Sequence, residues 1–385
     1  MKKLAIITTH PIQYNSPLFR LLSERKRIEI KVFYTWGQSK GEVFDVRFGL
    51  KRSWDVPLLE GYTSEFVRNT SCRPDSNHFW GVLNPGLYKQ IIREGYDAVL
   101  IYRWSLFSHF YLMQRLGKNP ALFFRGDSHL LQTSNGVKQY LKCLFLKFVY
   151  RNVDGAFVVG ALNKAYMQAN GLEEKKLFYA PHAVDNERFT NEAIAMEERA
   201  MKERDHAGIP SDAVVFLYAG KFYALKQLEF LVRTFQQLVG EQYRLLLVGN
   251  GDEETMLKNL AGTDKRILFQ SFRNQSEMPW VYRIGDIFVL PSKSETWGLG
   301  VNEAMACARA AIVSDQCGCA PDLIKENENG FVFQSGNKTD LLRCLKAVPD
   351  KTVAHKMGKK AFETIKDFSL DRIAQTIEDK ILSNK

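Results

Sequence analysis

The sequence IFVLPSKSETWGLGVNEAMA, at residues 287–306, decides the fold of this chain. Its apolar, β-branched start at Ile287–Leu290 predicts a buried strand, and a polar loop follows. A helix is predicted to open near Gly300, so the stretch forms one strand–loop–helix unit. Glu295 in the loop and Glu303 in the first helical turns are eight residues apart, which lets both carboxylates face one site at the helix N-terminus.

The same alternation of short apolar runs and longer helical segments continues on both sides of this unit. The first half of the chain contains five predicted strands, of which Leu4–Thr8 is the first. The second half contains six, of which Val214–Tyr218 is the first. This pattern is typical of two doubly wound, Rossmann-like α/β domains with parallel sheets, and we expect them to face each other across a cleft. The predicted N-terminal domain comprises residues 1–190, and a linker follows over residues 191–212. The second domain is predicted over residues 213–350, and C-terminal helices over residues 351–385 return to the first domain.

The composition and the hydropathy pattern are those of a soluble globular protein rather than of a membrane-spanning or exported one. The chain has 385 residues, of which 45% are hydrophobic and 25% charged, and these fractions are typical of a soluble globular enzyme with two domains. No run approaches the roughly 18 apolar residues that a membrane span needs. The apolar start of the chain ends at Thr8–His10, which predicts a first strand rather than an export signal. Six cysteines without a Cys-x-x-Cys pair predict reduced thiols in the cytoplasm.

The positive charge is concentrated in the first half of the chain. Residues 1–190 contain 27 Lys and Arg against 16 Asp and Glu, whereas the remaining residues contain 26 against 27. A basic domain beside a neutral one indicates an anionic partner. No RNP, zinc-finger or helix-turn-helix pattern accompanies the charge, so nucleic acid is not the expected partner.

The segment Val137–Arg151 predicts a helix with two apolar faces and basic flanks. The residues of one face are Tyr140, Leu141, Leu144, Phe145, Phe148 and Val149. The opposite face consists of Cys143, Leu146 and Tyr150. Two interpretations follow. In the first, one face rests on the core and the other on an anionic membrane surface or a partner. In the second, the helix is buried and its lysines reach out to the solvent.

Candidate ligand-binding residues of the first half follow predicted strands, where parallel sheets meet their ligands. The turn Thr8–Pro17 contains no glycine, which argues against a dinucleotide-binding fingerprint and hence against a dehydrogenase. His10 and Gln13 lie in this turn, and a buried structural role is the alternative for His10. Arg125 and His129 follow a later strand at the same edge, with helix capping as the alternative role of their loop.

In the second half, Gly220 ends a predicted strand and is followed by Lys221 and Lys226. A glycine at a strand end lets a ligand approach the backbone, and two cations five residues apart can hold one diphosphate. Gly249 and Gly251 end the next strand in a glycine turn, which marks the same edge of the sheet.

The pair Glu295 and Glu303, with Pro-Ser before it and Ala-Met-Ala after it, resembles the Glu-x7-Glu signature of retaining glycosyltransferases with two Rossmann domains, the GT-B architecture of family four. Lys221 and Lys226 match the Arg/Lys pair of the family's donor domain, with lysine at 221 where arginine is usual. This resemblance covers nearly all of residues 205–335 and the first 200 only loosely.

Other parts of the chain match the family less closely. The opening His10–Tyr14 resembles a subset of bacterial polysaccharide and lipopolysaccharide transferases. Pro181–Asp185 differs at two of five positions from the family's Pro-Asn-Gly-Val-Asp, and Ala308 and Ala310 replace its usual Gly and Pro.

The resemblance implies transfer of a sugar from a nucleotide-diphosphate sugar, with retention at the anomeric carbon and without a metal or other cofactor. Lys221, Lys226 and the helix N-terminus would stabilise the departing diphosphate, and Glu295 would hold the transferred sugar. The implied donor-binding residues are Gly220, Gly249, Gly251, Phe272, Arg273, Trp297, Gly298, Leu299 and, at the ribose, Glu303. The implied acceptor-binding residues are His10, Gln13, Arg125 and His129.

The expected acceptor is a lipid-linked or growing glycan in bacterial cell-surface polysaccharide synthesis, at the cytoplasmic face of the cell membrane. Two other functions stay open at this point. A nucleotide-sugar 2-epimerase has a similar fold, although the pair of Glu295 and Glu303 disfavours it, and a non-catalytic sugar- or nucleic-acid-binding module is the other alternative.

Overall fold

The computed structural model describes residues 1–37, 43–45, 50–52, 54–131 and 136–384. Contacts within the chain divide it into two compact units, which are described separately. Unit 1 comprises Met1–Val43, Pro57–His182 and Leu370–Lys385, and unit 2 comprises Phe44–Val56 and Ala183–Ser369.

Short strands alternate with helices through both units. The strands are β1 (Lys3–Thr8), β2 (Glu29–Tyr34), β3 (Val43–Asp45), β4 (Leu50–Arg52), β5 (Ser64–Phe66), β6 (Ala98–Tyr102), β7 (Ala121–Arg125), β8 (Gly155–Val158), β9 (Leu177–Tyr179), β10 (Val214–Ala219), β11 (Tyr243–Val248), β12 (Ile267–Gln270), β13 (Ile287–Leu290), β14 (Ala310–Ser314) and β15 (Gly330–Phe333). The α-helices are α1 (Ser16–Arg25), α2 (Leu87–Glu94), α3 (Phe107–Arg115), α4 (Val137–Tyr150), α5 (Ala161–Ala169), α6 (Asn186–Thr190), α7 (Ala193–His206), α8 (Leu228–Phe235), α9 (Glu254–Ala261), α10 (Met278–Ile284), α11 (Leu299–Ala306), α12 (Ala320–Leu323), α13 (Lys338–Lys346), α14 (Lys351–Ile365) and α15 (Leu370–Ser383).

The core of unit 1 is a seven-stranded sheet in the order β5-β2-β1-β6-β7-β8-β9, and its paired strands are parallel. β1 lies near the centre, where Ile6 pairs with Val32 of β2 and Leu100 of β6, and all three side chains are buried. Strands that helices cover on both faces carry apolar residues on both faces, which explains the continuous apolar run of β1. The sequence pattern did not predict β5 and β9, because each is only three residues long.

The core of unit 2 is a second parallel sheet, with six strands in the order β12-β11-β10-β13-β14-β15. Phe216 of β10 pairs with Leu245 of β11 and Ile287 of β13. The strand–loop–helix unit predicted over residues 287–306 is β13 with α11. The two doubly wound α/β folds predicted from the sequence are therefore confirmed.

Residues 191–212, expected to form a linker, contain helix α7, which packs against α10. Arg204 Nη2 lies 2.9 Å from Asp286 Oδ2, and both side chains are buried. Glu197 Oε2 lies 3.3 Å from Arg283 Nε. This segment is thus a docked helix of unit 2, and its charged, alanine-rich sequence did not reveal these partners because they lie far along the chain.

The C-terminal residues divide between the two units at Leu370, although the sequence predicted one segment over 351–385. Helix α15 packs against α1 in unit 1, which confirms that the last helix returns to the N-terminal domain. The carboxylate of Glu378 is fully buried there, 3.1 Å from Arg25 Nε and 2.9 Å from Arg27 Nη1.

A buried histidine makes the stability of unit 1 depend on pH. His109 Nδ1 lies 2.9 Å and 2.8 Å from the carbonyl oxygens of Tyr102 and Arg103, and Nε2 lies 2.9 Å from Thr35 Oγ1. Burial lowers the pKa of His109 from 6.5 to about 4. Between these two values the unfolded chain binds a proton at this side chain that the folded chain does not bind.

We therefore predict that the free energy of unfolding of unit 1 falls as the pH falls from 6.5 to about 4. His109→Gln should remove about 3 kcal/mol of this pH dependence, because glutamine does not titrate. Urea unfolding followed at a series of pH values measures the effect, with exposed His206→Gln as the control. An identical pH profile for wild type and His109→Gln would contradict the prediction.

Candidate functional site

The candidate donor-site residues of unit 2 follow the carboxyl ends of its parallel strands. Gly220 and Lys221 follow β10, Gly249 and Gly251 follow β11, and the loop 291–298 follows β13. Since these strands are neighbours in one parallel sheet, their following loops meet at the same edge.

Two glycines allow the loops after β10 and β11 to touch backbone to backbone. Gly249 has a φ of +144°, and a Cβ there would lie 1.9 Å from the carbonyl oxygen of Gly220. At Gly251, with a φ of +158°, a Cβ would lie 2.3 Å from the carbonyl oxygen of Phe222. Phe222 N donates to the Asn250 carbonyl oxygen at 2.9 Å, which joins the two loops. Neither glycine tolerates a side chain in this arrangement.

The loop after β13 is fixed on both sides by backbone hydrogen bonds. Glu295 N donates to the Gln316 carbonyl oxygen at 3.2 Å, and Gly318 N donates to the Glu295 carbonyl oxygen at 3.0 Å. On the other side, Lys293 N donates to the Leu225 carbonyl oxygen at 2.8 Å. These bonds place the loop beside the turn that carries Lys226.

Lys226 and Glu295 form an ion pair at this edge, with Lys226 Nζ donating to Glu295 Oε2. Their side chains are only 15% and 20% exposed. Burial by itself lowers the pKa of Lys226, but the charge and the hydrogen bond of Glu295 outweigh it, so the pKa is raised above its ordinary 10.5. The ammonium group is therefore fully charged at neutral pH, in a place where water screens it little.

The second carboxylate, Glu303, has partners of its own and is only 3% exposed. Tyr282 donates its hydroxyl to Glu303 Oε2 at 2.7 Å, and Arg188 Nη2 lies 3.6 Å from Glu303 Oε1. Gln275 Oε1 accepts hydrogen bonds of 3.1 Å from both Arg188 Nη1 and Nη2 and fixes the guanidinium. Tyr282 and Arg188 were not singled out from the sequence, because neither is adjacent to a motif residue along the chain.

The N-terminus of α11 lies between the two carboxylates in sequence. Gly298 precedes the helix with a left-handed φ of +101°, and a Cβ there would lie 2.8 Å from Leu290 Cδ2. Trp297 is buried, and its Nε1 donates to Asn302 Oδ1 at 2.8 Å. The indole therefore belongs to the core, and the backbone of residues 297–299 is what this turn can offer a ligand.

The predicted Phe272 and Arg273 lie in the loop that follows β12. Phe272 N donates to Asn250 Oδ1 at 2.7 Å, which ties this loop to the glycine turn after β11. The guanidinium of Arg273 lies 5.2 Å from the ring centre of Trp280 and 3.3 Å from Glu277 Oε1. The half-buried Lys221 lies on the loop after β10 at the same edge.

The acceptor-site candidates His10 and Gln13 lie after β1 in unit 1 and are partly buried. The ring of His10 meets Trp36 edge-on, with 5.2 Å between the ring centres. Burial lowers the pKa of His10 below 6.5, and the positive charge of Arg103 lowers it further. The neutral form of His10 therefore predominates at pH 7.

Arg125 and His129, the other two acceptor-site candidates, follow β7. The guanidinium of Arg125 is buried and donates to the carbonyl oxygens of Ala180 at 2.7 Å and Pro181 at 3.2 Å. Leu131 N donates to His129 Nδ1 at 3.3 Å. Arg125 thus supports the loop after β9, and a contact of either residue with an acceptor stays a prediction.

Helix α4 is buried on one side only. The core contacts come from Leu146, Val149 and Tyr150. Val149 was expected on the other apolar face and is instead buried, whereas the rest of that face is exposed. This exposed α4 face consists of Val137, Tyr140, Leu141, Leu144, Phe145 and Phe148, with exposed fractions of 42–76%. Its flanking Lys138, Lys142, Lys147 and Arg151 are also exposed. The interpretation of a fully buried helix is therefore wrong.

Two features are absent from the residues that the structure describes. Within those parts of the chain, no helix combines the length and the apolar character needed to cross a membrane. No group of three or more His, Cys, Asp or Glu side chains in the same parts is arranged to hold a metal ion.

Residues 200–364 match the model of the family described as glycosyl transferases group 1. The chain is also 29% identical over 223 residues to a sulfoquinovosyl transferase from Arabidopsis thaliana, covering 57% of this chain and 42% of that one. It is 25% identical over 197 residues to the N-acetyl-alpha-D-glucosaminyl L-malate synthase of Bacillus anthracis, covering 49% and 51%. The chain thus spans about half the length of the curated relatives that it matches.

Solved structures are similar over almost the whole chain. The sucrose-phosphate synthase of Thermosynechococcus elongatus has a TM-score of 0.71 at 18% identity, covering 99% of this chain and 98% of its own. HepE of Anabaena, solved with UDP and glucose, has a TM-score of 0.71 at 16% identity, with full coverage of both chains. WaaG, a glycosyltransferase involved in lipopolysaccharide biosynthesis, has a TM-score of 0.68 at 14% identity, covering 99% and 100%. At these identities the likeness shows the fold, which is GT-B.

Proposed function

Because residues 200–364 match the model of the glycosyl transferases group 1 family, we propose that the protein transfers a sugar from a nucleotide-diphosphate sugar to an acceptor. The observation that carries this proposal is the ion pair of Lys226 with Glu295 at the carboxyl edge of the unit 2 sheet. An ammonium group attracts a diphosphate, and a carboxylate accepts hydrogen bonds from sugar hydroxyls. One pair of side chains can therefore contact both ends of the bond that breaks.

Lys226 and Lys221 neutralise the diphosphate as it departs. The backbone N–H groups of Leu299 and Gly300 at the start of α11 add positive potential, since the first N–H groups of a helix have no partner within it. As the bond from the anomeric carbon to the diphosphate oxygen breaks, negative charge develops on that oxygen, and fixed positive groups lower the energy of the transition state. We propose that these groups neutralise the charge of the diphosphate without a metal ion.

The acceptor attacks the anomeric carbon on the face that the diphosphate leaves, so the configuration is retained. The acceptor hydroxyl forms the new bond to carbon, and its proton passes to the departing diphosphate oxygen. Glu295 accepts a hydrogen bond from the transferred sugar with a carboxylate that Lys226 holds in place.

The nucleoside end of the donor binds along the same edge. Glu303, oriented by Tyr282 and Arg188, accepts hydrogen bonds from the ribose hydroxyls. The loop of Phe272 and Arg273 contacts the base. The remaining donor contacts are backbone contacts at Gly220, Gly249, Gly251, Trp297, Gly298 and Leu299.

We assign the acceptor to unit 1, at the carboxyl edge where His10, Gln13, Arg125 and His129 lie. The exposed α4 face with its basic flanks is suited to an anionic membrane surface, since its apolar side chains can enter the interface while lysines meet the headgroups. This supports a lipid-linked acceptor at the inner face of the cell membrane, in bacterial cell-surface polysaccharide synthesis.

The donor-site assignment predicts which substitutions stop transfer. A thermal-shift screen of nucleotide sugars first identifies the donor, since a ligand at about 100 times its dissociation constant adds about 2.7 kcal/mol of stability. With that donor, Lys226→Ala should lower kcat by about 10²–10³, because one stabilising charge at the leaving group is lost. Glu303→Ala should raise KM for the donor.

The matched control is Lys258→Ala, because Lys258 also pairs with a glutamate of unit 2 but is 53% exposed on α9. All variants are checked for intact folding by circular dichroism. Unchanged transfer in both Lys226→Ala and Glu303→Ala would refute the donor site. Conversion of the nucleotide sugar to its epimer at carbon 2, in the absence of any acceptor, would instead identify an epimerase.

The membrane assignment predicts that Leu141→Asp combined with Leu144→Asp weakens binding to vesicles of phosphatidylcholine and phosphatidylglycerol by about tenfold or more, because two apolar side chains leave the interface. Vesicle co-sedimentation measures this. Ile194→Asp is the control, since Ile194 is 80% exposed on α7. Wild-type binding that is indifferent to phosphatidylglycerol would contradict the assignment.

A further inference from the structure

A cavity of about 340 Å³ lies in unit 1 beside the N-terminal ends of α2 and α3. Its walls are mostly apolar and aromatic, with contributions from Leu83, Leu87, Tyr88, Phe107, Tyr111 and Leu112. This volume falls within the range of small-molecule sites, which are lined by apolar side chains and a few polar groups.

The cavity lies at the carboxyl edge of the unit 1 sheet. Asn84, one of its lining residues, donates from Nδ2 to the carbonyl oxygens of Thr35 at 3.1 Å and Arg68 at 3.0 Å. Thr35 follows the end of β2 and Arg68 follows β5, while Phe107 begins the helix after β6. The carboxyl ends of these parallel strands form the same edge as the end of β1, where His10 lies.

Asn84 is held in the cavity wall by hydrogen bonds within the chain. The side chain is only 7% exposed. Because a nitrogen must donate to the two carbonyl oxygens, these hydrogen bonds distinguish Nδ2 of the amide from Oδ1. Its backbone N–H donates to Ser108 Oγ at 2.7 Å. Asn84 Oδ1 has no hydrogen-bond partner among the residues that the structure describes, and it is itself out of reach of a water-sized molecule. The cavity wall therefore offers a ligand mainly apolar contacts at this point.

Aromatic rings connect the cavity with the exposed α4 face. Phe107 stacks on Trp80 with 4.9 Å between ring centres, and Trp80 is 59% exposed. Phe79 contacts both Phe107 and Phe110, and Phe110 stacks on Phe145 of the α4 face at 6.2 Å. An apolar surface therefore runs from the proposed membrane contact to the cavity.

Positive charge accompanies this surface. The guanidinium of Arg115 lies 5.7 Å from the ring centre of Tyr88 and 5.9 Å from that of Tyr111, two of the lining residues. Lys142 and Lys147 flank the α4 face. The combination of an apolar path with cations beside it is complementary to a lipid that carries a phosphate.

We propose that this cavity binds the hydrocarbon chain of a lipid-linked acceptor. The occupant is a chain because the walls are apolar and continue to the membrane-facing rings. The identification of the bound lipid as the acceptor rests on the proposed function. The binding of a hydrocarbon chain in the cavity does not depend on that function.

The test is isothermal titration of the full-length protein with n-octanol, without any nucleotide sugar. We expect one saturable site per chain. Tighter binding of naphthol than of n-octanol would overturn the assignment to a chain.

The site is located with a blocking variant. Thr70 is an exposed lining residue, so Thr70→Trp should place its ring over the cavity and weaken octanol binding by at least about tenfold. Thr63→Trp is the control, because Thr63 is an exposed threonine of unit 1 outside the cavity lining. Octanol binding that is absent in the wild type, or equal in the two variants, would overturn the proposal. Since no donor is present, these outcomes are independent of whether the protein transfers a sugar.

Discussion

The ion pair between Lys226 and Glu295 is the interaction on which the candidate donor site depends. Two opposite charges are held together where little water reaches them, and each makes the other's burial tolerable. Backbone hydrogen bonds of the loops after β13 and β14 fix Glu295 independently. A diphosphate that binds here competes with Glu295 for the ammonium group, while a sugar hydroxyl adds a donor to the carboxylate. In the proposed function, the pair would therefore couple recognition of both parts of the donor.

Much of this site could be predicted from the sequence, because the constraint that builds it is local. Each parallel strand ends at the same edge, so a residue just after a strand is placed by its position alone, as for Lys221 and Glu295. The partners of Glu303 could not be predicted in this way. Arg188 and Tyr282 reach it from α6 and α10, and only tertiary packing brings these helices to α11.

Tertiary packing also determines which face of α4 is buried, a question that the periodicity of its sequence left open. Both faces of this helix are apolar, so its sequence fits a buried helix as well as an interfacial one. The structure puts Leu146, Val149 and Tyr150 into the core and leaves the larger face exposed. Helix α7 shows the reverse case, since a charged segment that resembles a linker is docked through Arg204 and Asp286. In both segments the choice rests on partners distant in sequence.

The coupling role of the ion pair is tested most directly by calorimetric titration of wild type and Glu295→Gln with the matching nucleoside diphosphate and nucleotide sugar. Glutamine keeps the size of the side chain but removes the charge that competes for Lys226. The account predicts that the diphosphate binds as tightly or more tightly to Glu295→Gln, while the extra affinity contributed by the sugar falls. If the substitution changes neither affinity, or weakens both equally, Glu295 does not link the sugar to the diphosphate.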